Sequence, residues 1–202
     1  MLGRHVELLD SRAFSEKEKF LHDELGIPAE WTYRAKAVRA AARHRHHDHA
    51  WYLIRAGEWN LSHQVIMEHI AADAIINENY AYLESLLGEL ASAERSSTVF
   101  GWGNQGALLW DYLAVVKAVK ALLANTVRDQ AVLYQLEKLQ PQLSSLCARI
   151  HTMPCRNAKD RCVVCYLEFE RSFFAACVFT SPLFTELGRR SYPDQKSCLR
   201  FT

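Results

Sequence analysis

Glycine and proline are scarce in this chain, with 8 and 5 residues among 202. Turn-rich strand architectures and flexible linkers consume both residue types, so their scarcity argues against these architectures and favours helices. Neither charge sign is in excess, because 24 Lys and Arg residues face 23 Asp and Glu residues. The composition therefore gives no support to a nucleic-acid-binding or polyanion-binding role.

Long apolar runs are also missing. The first ten residues lack the apolar segment of a signal peptide, and acidic or basic residues interrupt the most apolar stretch, 162–184. The six cysteines all lie in the last third of the chain, unlike a disulfide framework, which would staple the whole of it. We expect one soluble, intracellular globular domain without membrane insertion and with reduced thiols.

Helical signals begin near the N-terminus. Ser15 and Glu18 have the spacing of a capping box, which predicts a helix over residues 15–25. Pro28 suits the first turn of a second helix, which extends to about residue 43. In that helix one apolar stripe recurs at helical spacing: Trp31, Ala35, Val38 and Ala42.

A tight helical hairpin is predicted next. Residues 48–56 form its first helix, Gly57 ends that helix, and residues 58–70 form the second. So short a turn makes the two helices antiparallel. Their facing side chains are then Trp51, Leu53 and Ile54 on one helix and Trp59, Val65 and Ile66 on the other.

Three further helices follow, over residues 80–90, 107–124 and 128–150. The clearest break in the chain precedes the second of them, at Gly101, Gly103 and Gly106, and Asn125 caps its end. Pro141 predicts a kink or a boundary in the last helix. The apolar side of that helix carries Leu133, Leu136, Leu139, Leu143 and Leu146.

The fold class is therefore all-α, either a compact bundle or a stack of antiparallel helical hairpins. Repeats of fixed period are absent, so a stack would be an irregular α-solenoid. The amino-acid composition changes after Arg161, where the sequence becomes rich in Phe and Cys. We divide the chain into a helical region, 1–161, and a divergent tail, 162–202.

Two clusters have residue types that can bind metal. His44, His46, His47, Asp48 and His49 lie close together, but Arg43 and Arg45 interrupt them, and we interpret the run as a solvated turn. Cys162 and Cys165, with Cys155 nearby, have the spacing of half a zinc site or of a redox pair. No second pair completes a zinc site and no βαβ pattern surrounds the two, so buried or incidental thiols are the favoured reading.

Catalytic signatures are missing as well. The sequence has no Gly-x-Ser-x-Gly elbow and no phosphate-binding glycine loop. Mixed charges such as those of residues 16–19 are explained by a solvated helix face. We predict no catalytic, cofactor-binding or metal residues, no cofactor, no small-molecule substrate and no enzymatic activity.

The tryptophans are the remaining candidates for function. Core packing is the expected role of Trp31, Trp51, Trp59 and Trp110, since most lie on apolar stripes. Trp102 lies in the glycine-flanked loop, where it either anchors a partner or covers the core.

Three stretches carry a resemblance to a known family: GIPAEWTYRAKAVRA at 26–40, LIRAGEWNLSHQVIMEHIAADAIINENYAYL at 53–83, and SLCARIHTMPCRNAKDR at 145–161. Together they resemble the C-terminal part of the ninety-six-kilodalton nucleoporin family, the scaffold half of a self-cleaving Phe-Gly nucleoporin precursor. The resemblance covers about residues 10–161, and the sequence departs from the family after Arg161.

This resemblance implies a tail module of the ancestral coatomer element type, an α-helical solenoid in the Y-shaped outer-ring coat of the nuclear pore. It implies a location in the nucleus, at the nuclear envelope and its pore complex, and helix-face contacts with other outer-ring nucleoporins. The single Phe-Gly pair, Phe100-Gly101, is no permeability-barrier repeat, so support of protein and mRNA transport would be structural and indirect. The alternative is a soluble helical-repeat adaptor that binds a peptide or a partner helix.

Overall fold

A computed structural model describes residues 14–124, 130–155, 158–165 and 167–168 of the chain, and these residues contain helices and no strand. The all-α prediction is therefore confirmed. The helices are α1 (Phe14–Lys19), α2 (Ala29–Ala42), α3 (His46–Arg55), α4 (Trp59–Val65), α5 (Ala71–Ile76), α6 (Tyr80–Leu90), α7 (Ala93–Ser96), α8 (Gly106–Ala124) and α9 (Gln130–Ile150). A π-helical turn, Phe20–Glu24, continues α1, and another, Ile66–Ile70, joins α4 to α5. Residues 158–165 are also helical.

Helices that are close in sequence pack against each other. The closest pairings join α2 to α3, α3 to α4, α5 to α6, α6 to α8 and α8 to α9. One apolar core runs through α3 and the helices that follow it, from Ala50 to Leu167. The pairing of neighbours agrees with the predicted antiparallel hairpins, and their arrangement as an irregular solenoid stays a prediction.

Three helix ends share one hydrogen-bonding pattern. The residue after the C-cap has positive φ at His44, Gly57 and Glu78, with values of 55°, 74° and 53°. At each end two backbone N–H groups bond back into the last turn, as Gly57 does to Ile54 (3.1 Å) and Glu58 to Leu53 (2.9 Å). This is the Schellman motif, which satisfies carbonyls that the helix leaves unpaired. It reverses the chain after α2, α3 and α5.

Several predicted boundaries were wrong. Pro28 precedes α2 as its N-cap, with ψ of 138°, and does not lie in the first turn. The fourth predicted helix continues to Ile76 through the π-helical turn, because Ile70, Ala71, Ala74 and Ile75 all pack into the core. A short helix, α7, lies between the helix of residues 80–90 and the glycine break, where no helix was predicted. α9 continues through Pro141, so no helix boundary lies there.

The buried side of α9 agrees with the leucine pattern where it is described, since Leu139, Leu143 and Leu146 are all buried. The side chains of Leu133 and Leu136, and the whole of Asn125, lie outside the described part of the chain. Val163 and Leu167 are each 1% exposed and belong to the core. The division of the chain at residue 161 stays a prediction, and residues 169–202 lie outside the described part.

Candidate functional site

The histidine run is part of a helix, which corrects the prediction of a solvated turn for most of it. His46, His47, Asp48 and His49 form the start of α3, and only His44 remains in the turn before it. The helix begins there because the positive φ of His44 reverses the chain without a glycine, and no residue in the sequence marks that position as a helix end.

Two residues distant in sequence complete this cluster. The rings of His46 and His69 stack with centroids 3.8 Å apart and an interplanar angle of 21°. Nδ1 of His47 lies 2.9 Å from the hydroxyl oxygen of Tyr82 on α6. Sequence reasoning missed His69 and Tyr82 because they belong to other elements, and only the packing of α3 on those elements brings them close.

The stacked pair lines an open pocket between α2, α3 and α4. Its wall combines apolar and polar side chains: Ala41, His46, His49, Leu61, Gln64, Val65, Glu68 and His69. Gln64 donates a hydrogen bond of 3.2 Å to Glu68 one turn further along the helix. Several imidazole rings therefore share a partly desolvated surface.

Electrostatics in this pocket disfavour protonation. Desolvation lowers the pKa of His46 from its ordinary 6.5, and the neighbouring His69, His44 and His47 lower it further. Desolvation also lowers the pKa of His49, with smaller contributions from His46 and His69. Burial penalises the charged form, and each nearby histidine opposes a second positive charge. The imidazoles of His46 and His49 are therefore neutral at pH 7.

The histidine run and the cysteines carry the residue types that can bind metal. Within the described part of the chain, no group of three or more His, Cys, Asp or Glu side chains is arranged to hold a metal ion. Cys155, Cys162 and Cys165 are exposed free thiols. The side chain of Cys147, together with Cys177 and Cys198, lies outside the described residues.

The tryptophans divide into two groups. Trp59 and Trp110 are partly buried and pack against the core, as expected, and Trp102, for which two roles were open, does so too. Trp31 and Trp51 do not, because they are 58% and 41% exposed. The expectation of core packing was wrong for these two because other residues form the buried faces: Thr32, Ala37 and Ala40 in α2, and Ala50, Leu53 and Ile54 in α3.

Trp51 belongs to an aromatic cluster that joins α2 to α3. Its ring lies 6.0 Å from Tyr33 in an edge-to-face arrangement and 5.5 Å from Tyr52. The guanidinium of Arg55 lies 5.0 Å from the Trp51 ring, and Nζ of Lys36 lies 5.0 Å from the Tyr33 ring. Aromatic and cationic side chains of this kind are common at the energetic centres of protein interfaces.

Trp102 covers the core, the second of its two expected roles. It lies in a short 3₁₀ helix, Trp102–Asn104, and its ring centroid is 5.6 Å from that of the buried His63. Gly106 makes room for the indole, because a Cβ atom at this position would lie 2.3 Å from Cε3 of Trp102. Arg149 of α9 donates a 3.0 Å hydrogen bond to the carbonyl of Gly103, which fixes this loop.

The described helices include none that is long and apolar enough to cross a membrane. No protein-family model matches the chain. The chain is similar to the nuclear pore complex protein Nup98-Nup96 of Drosophila melanogaster, with 40% identity over 174 residues. This alignment covers 85% of the chain but only 9% of the relative.

By its fold and side-chain arrangement, the chain belongs to the class of all-α proteins with packed neighbouring helices, and it carries large aromatic side chains on its surface. The similarity then specifies the family. The resemblance predicted from the sequence is confirmed, and the chain is related to the Nup98-Nup96 nucleoporins.

Proposed function

We propose that the chain is a non-enzymatic scaffold element of the nuclear pore's outer-ring coat, located at the nuclear envelope. It binds other outer-ring nucleoporins through helix faces and supports protein and mRNA transport indirectly. The similarity to Nup98-Nup96, a nuclear pore complex protein by name, carries this proposal because it extends over 85% of the chain.

The surface of α2 and α3 supports a binding role. Trp31, Val38 and Trp51 are 58%, 63% and 41% exposed. Burying an exposed tryptophan against a partner removes a large apolar area from water, and the indole loses little conformational entropy. Trp31 and Val38 lie two helical turns apart on one face of α2, so they suit contact with the apolar stripe of a partner helix, and Trp51 adds an exposed indole on α3.

A pull-down from nuclear-envelope extract tests the proposal. The wild-type chain is expected to retain outer-ring nucleoporins, and the double variant Trp31→Ala/Trp51→Ala is expected to retain at least about tenfold less of them, as for the loss of interface hot spots. Tyr134→Ala is the matched control, because it removes an aromatic ring that is 69% exposed on α9.

Recovery of a short linear peptide motif in place of outer-ring nucleoporins would support the helical-repeat adaptor instead. Equal recovery by wild type and double variant would show that contacts elsewhere on the chain carry the binding. Circular dichroism of each variant confirms that the helices remain intact.

A further inference from the structure

We propose that the stacked His46–His69 pair is an acid-sensitive joint, which holds the α2–α3 hairpin on the helix of residues 59–76 at neutral pH and weakens in acid. It is a conformational device of the fold and does not depend on the proposed scaffold role. Because His46 opens α3 and His69 lies in the π-helical turn, the stack connects two separate helices.

The geometry makes the contact dependent on charge. Neutral imidazoles stack favourably at a centroid distance of 3.8 Å, whereas two imidazolium rings at that distance repel each other. The stack is therefore stable only while at least one of the two rings is neutral. Protonation of both rings favours separation of α3 from the π-helical turn.

The surrounding charges do not compensate for this repulsion. On α3 and the preceding turn the other titratable neighbours are Arg43, His44, His47 and His49, none of which is acidic. Asp48 pairs with Nε of Arg45 at 3.0 Å. On the helix of residues 59–76, Glu68 accepts a hydrogen bond from Gln64 and Asp73 pairs with Lys159 at 2.9 Å, and the Tyr82 hydroxyl of α6 lies beside His47. With these groups present, the pKa of His46 is still lowered.

The direction of the pH effect follows from linkage. His46 and His49 have pKa values below 6.5 in the folded chain, so between those values and 6.5 the unfolded chain binds more protons. The contribution of these histidines to the free energy of unfolding is therefore fully present above pH 6.5. It decreases as the pH falls from 6.5 towards their lowered pKa values. A histidine with a raised pKa would give the opposite dependence.

Three variants of the full chain test the joint: His69→Gln, His69→Glu and the control His151→Gln. His69 is exposed, so these changes remove no core contact. His151 is also exposed, and its Nδ1 lies 3.2 Å from Oε1 of Glu168. The measurements are the melting temperature at pH 7.5 and pH 5.5 and the NMR titration of the His46 ring.

Between the two pH values, the melting temperatures of wild type and His151→Gln are expected to fall several degrees more than that of His69→Gln. In a chain of this size, about 1 kcal/mol of stability corresponds to about 2–4 °C in melting temperature. His69→Glu is expected to lose least, because its carboxylate attracts a protonated His46. The NMR pKa of His46 should rise from wild type to Gln to Glu.

Amide exchange, corrected for the intrinsic pH dependence, provides a local measurement. Opening at pH 5.5 should be greater in residues 29–55 than in α8 of wild type, and His69→Glu should suppress it. The proposal is wrong if His46 titrates at or above 6.5 in the wild type, or if the three variants show the same acid dependence as the wild type.

Discussion

α2 and the helices that follow it bury side chains of different sizes. In α2 the buried residues are Thr32, Ala37 and Ala40, whereas α3 buries Leu53 and Ile54 beside Ala50. In α6 and α8 the buried residues are mostly large, as Leu87 and Leu109 illustrate, with both at 0% exposure. Both regions are amphipathic by spacing, but α2 keeps its largest apolar side chains outside the core.

The difference shows that helical periodicity does not identify the buried side of a helix. The buried side of α2 is made of small residues, Thr32, Ala37 and Ala40, and ring contacts between α2 and α3 join Tyr33 to Trp51 and Tyr52. Trp31 and Val38 then remain on the other side of α2, where they can contact a partner. The later helices cover each other on more sides and therefore bury their leucines.

The largest effect is expected where the hairpin meets the core. Leu53→Asp places an unpaired carboxylate at a position that is 4% exposed between α3 and its neighbours. We expect a loss of about 4 kcal/mol or more in the free energy of unfolding. Chemical denaturation followed by circular dichroism measures it, and an unchanged midpoint would show that this face of α3 is not buried.

Truncation of a leucine in the later helices sharpens the comparison directly. Leu87→Ala is expected to cost about 2–5 kcal/mol, because it leaves a cavity at a fully buried site of α6. The matched change in the hairpin is Val38→Ala, at 63% exposure, which is expected to stay within about 0.5 kcal/mol. Similar losses in urea denaturation would contradict the contrast between the two regions.

The contact between the Trp102 loop and α8 gives a smaller effect. Gly106→Ala brings a methyl group to 2.3 Å from Cε3 of Trp102 and 3.0 Å from Nε2 of His63, so the indole must move. Overpacking of this kind costs about 1–3 kcal/mol. Gly103→Ala is the control, because a Cβ there has no neighbour within 4 Å. Equal melting temperatures for both variants would show that the indole of Trp102 does not lie against Gly106.

The smallest effects concern the helix ends. Gly57→Ala places a Cβ on a backbone with φ of 74°, and about 1 kcal/mol of stability should be lost although no atom lies within 4 Å. Glu78→Gly relieves the same strain at φ of 53° and should gain up to about 1 kcal/mol. Thermal melts of both variants test this pair: the melting temperature should fall for Gly57→Ala and rise for Glu78→Gly.

Element type was largely predictable, and helix ends were predictable where a glycine marked them. The helix at Tyr80–Leu90 matches its prediction at both ends. The start of α3 was missed because His44 and not glycine adopts the left-handed conformation. The continuation of the helix to Ile76 was missed because it depends on burial of Ile70, Ala74 and Ile75 by other helices.

The candidate site, too, was predictable from the sequence only in part. His44, His46 and His49 were recognisable from their density in the sequence, whereas His69 joined them only through the packing of α3 on the π-helical turn. The two expected roles of Trp102 could not be separated until its position beside His63 and Gly106 was known.

By itself, the sequence determined the all-α class, the glycine-marked hairpin at Gly57 and the relationship to the nucleoporins. These follow from local periodicity, local turn chemistry and sequence similarity, none of which requires knowledge of long-range contacts. The tertiary structure decided which tryptophans are buried and which histidines stack. Both depend on which face of a helix its neighbours cover, and that choice is made by the packing of residues distant in sequence.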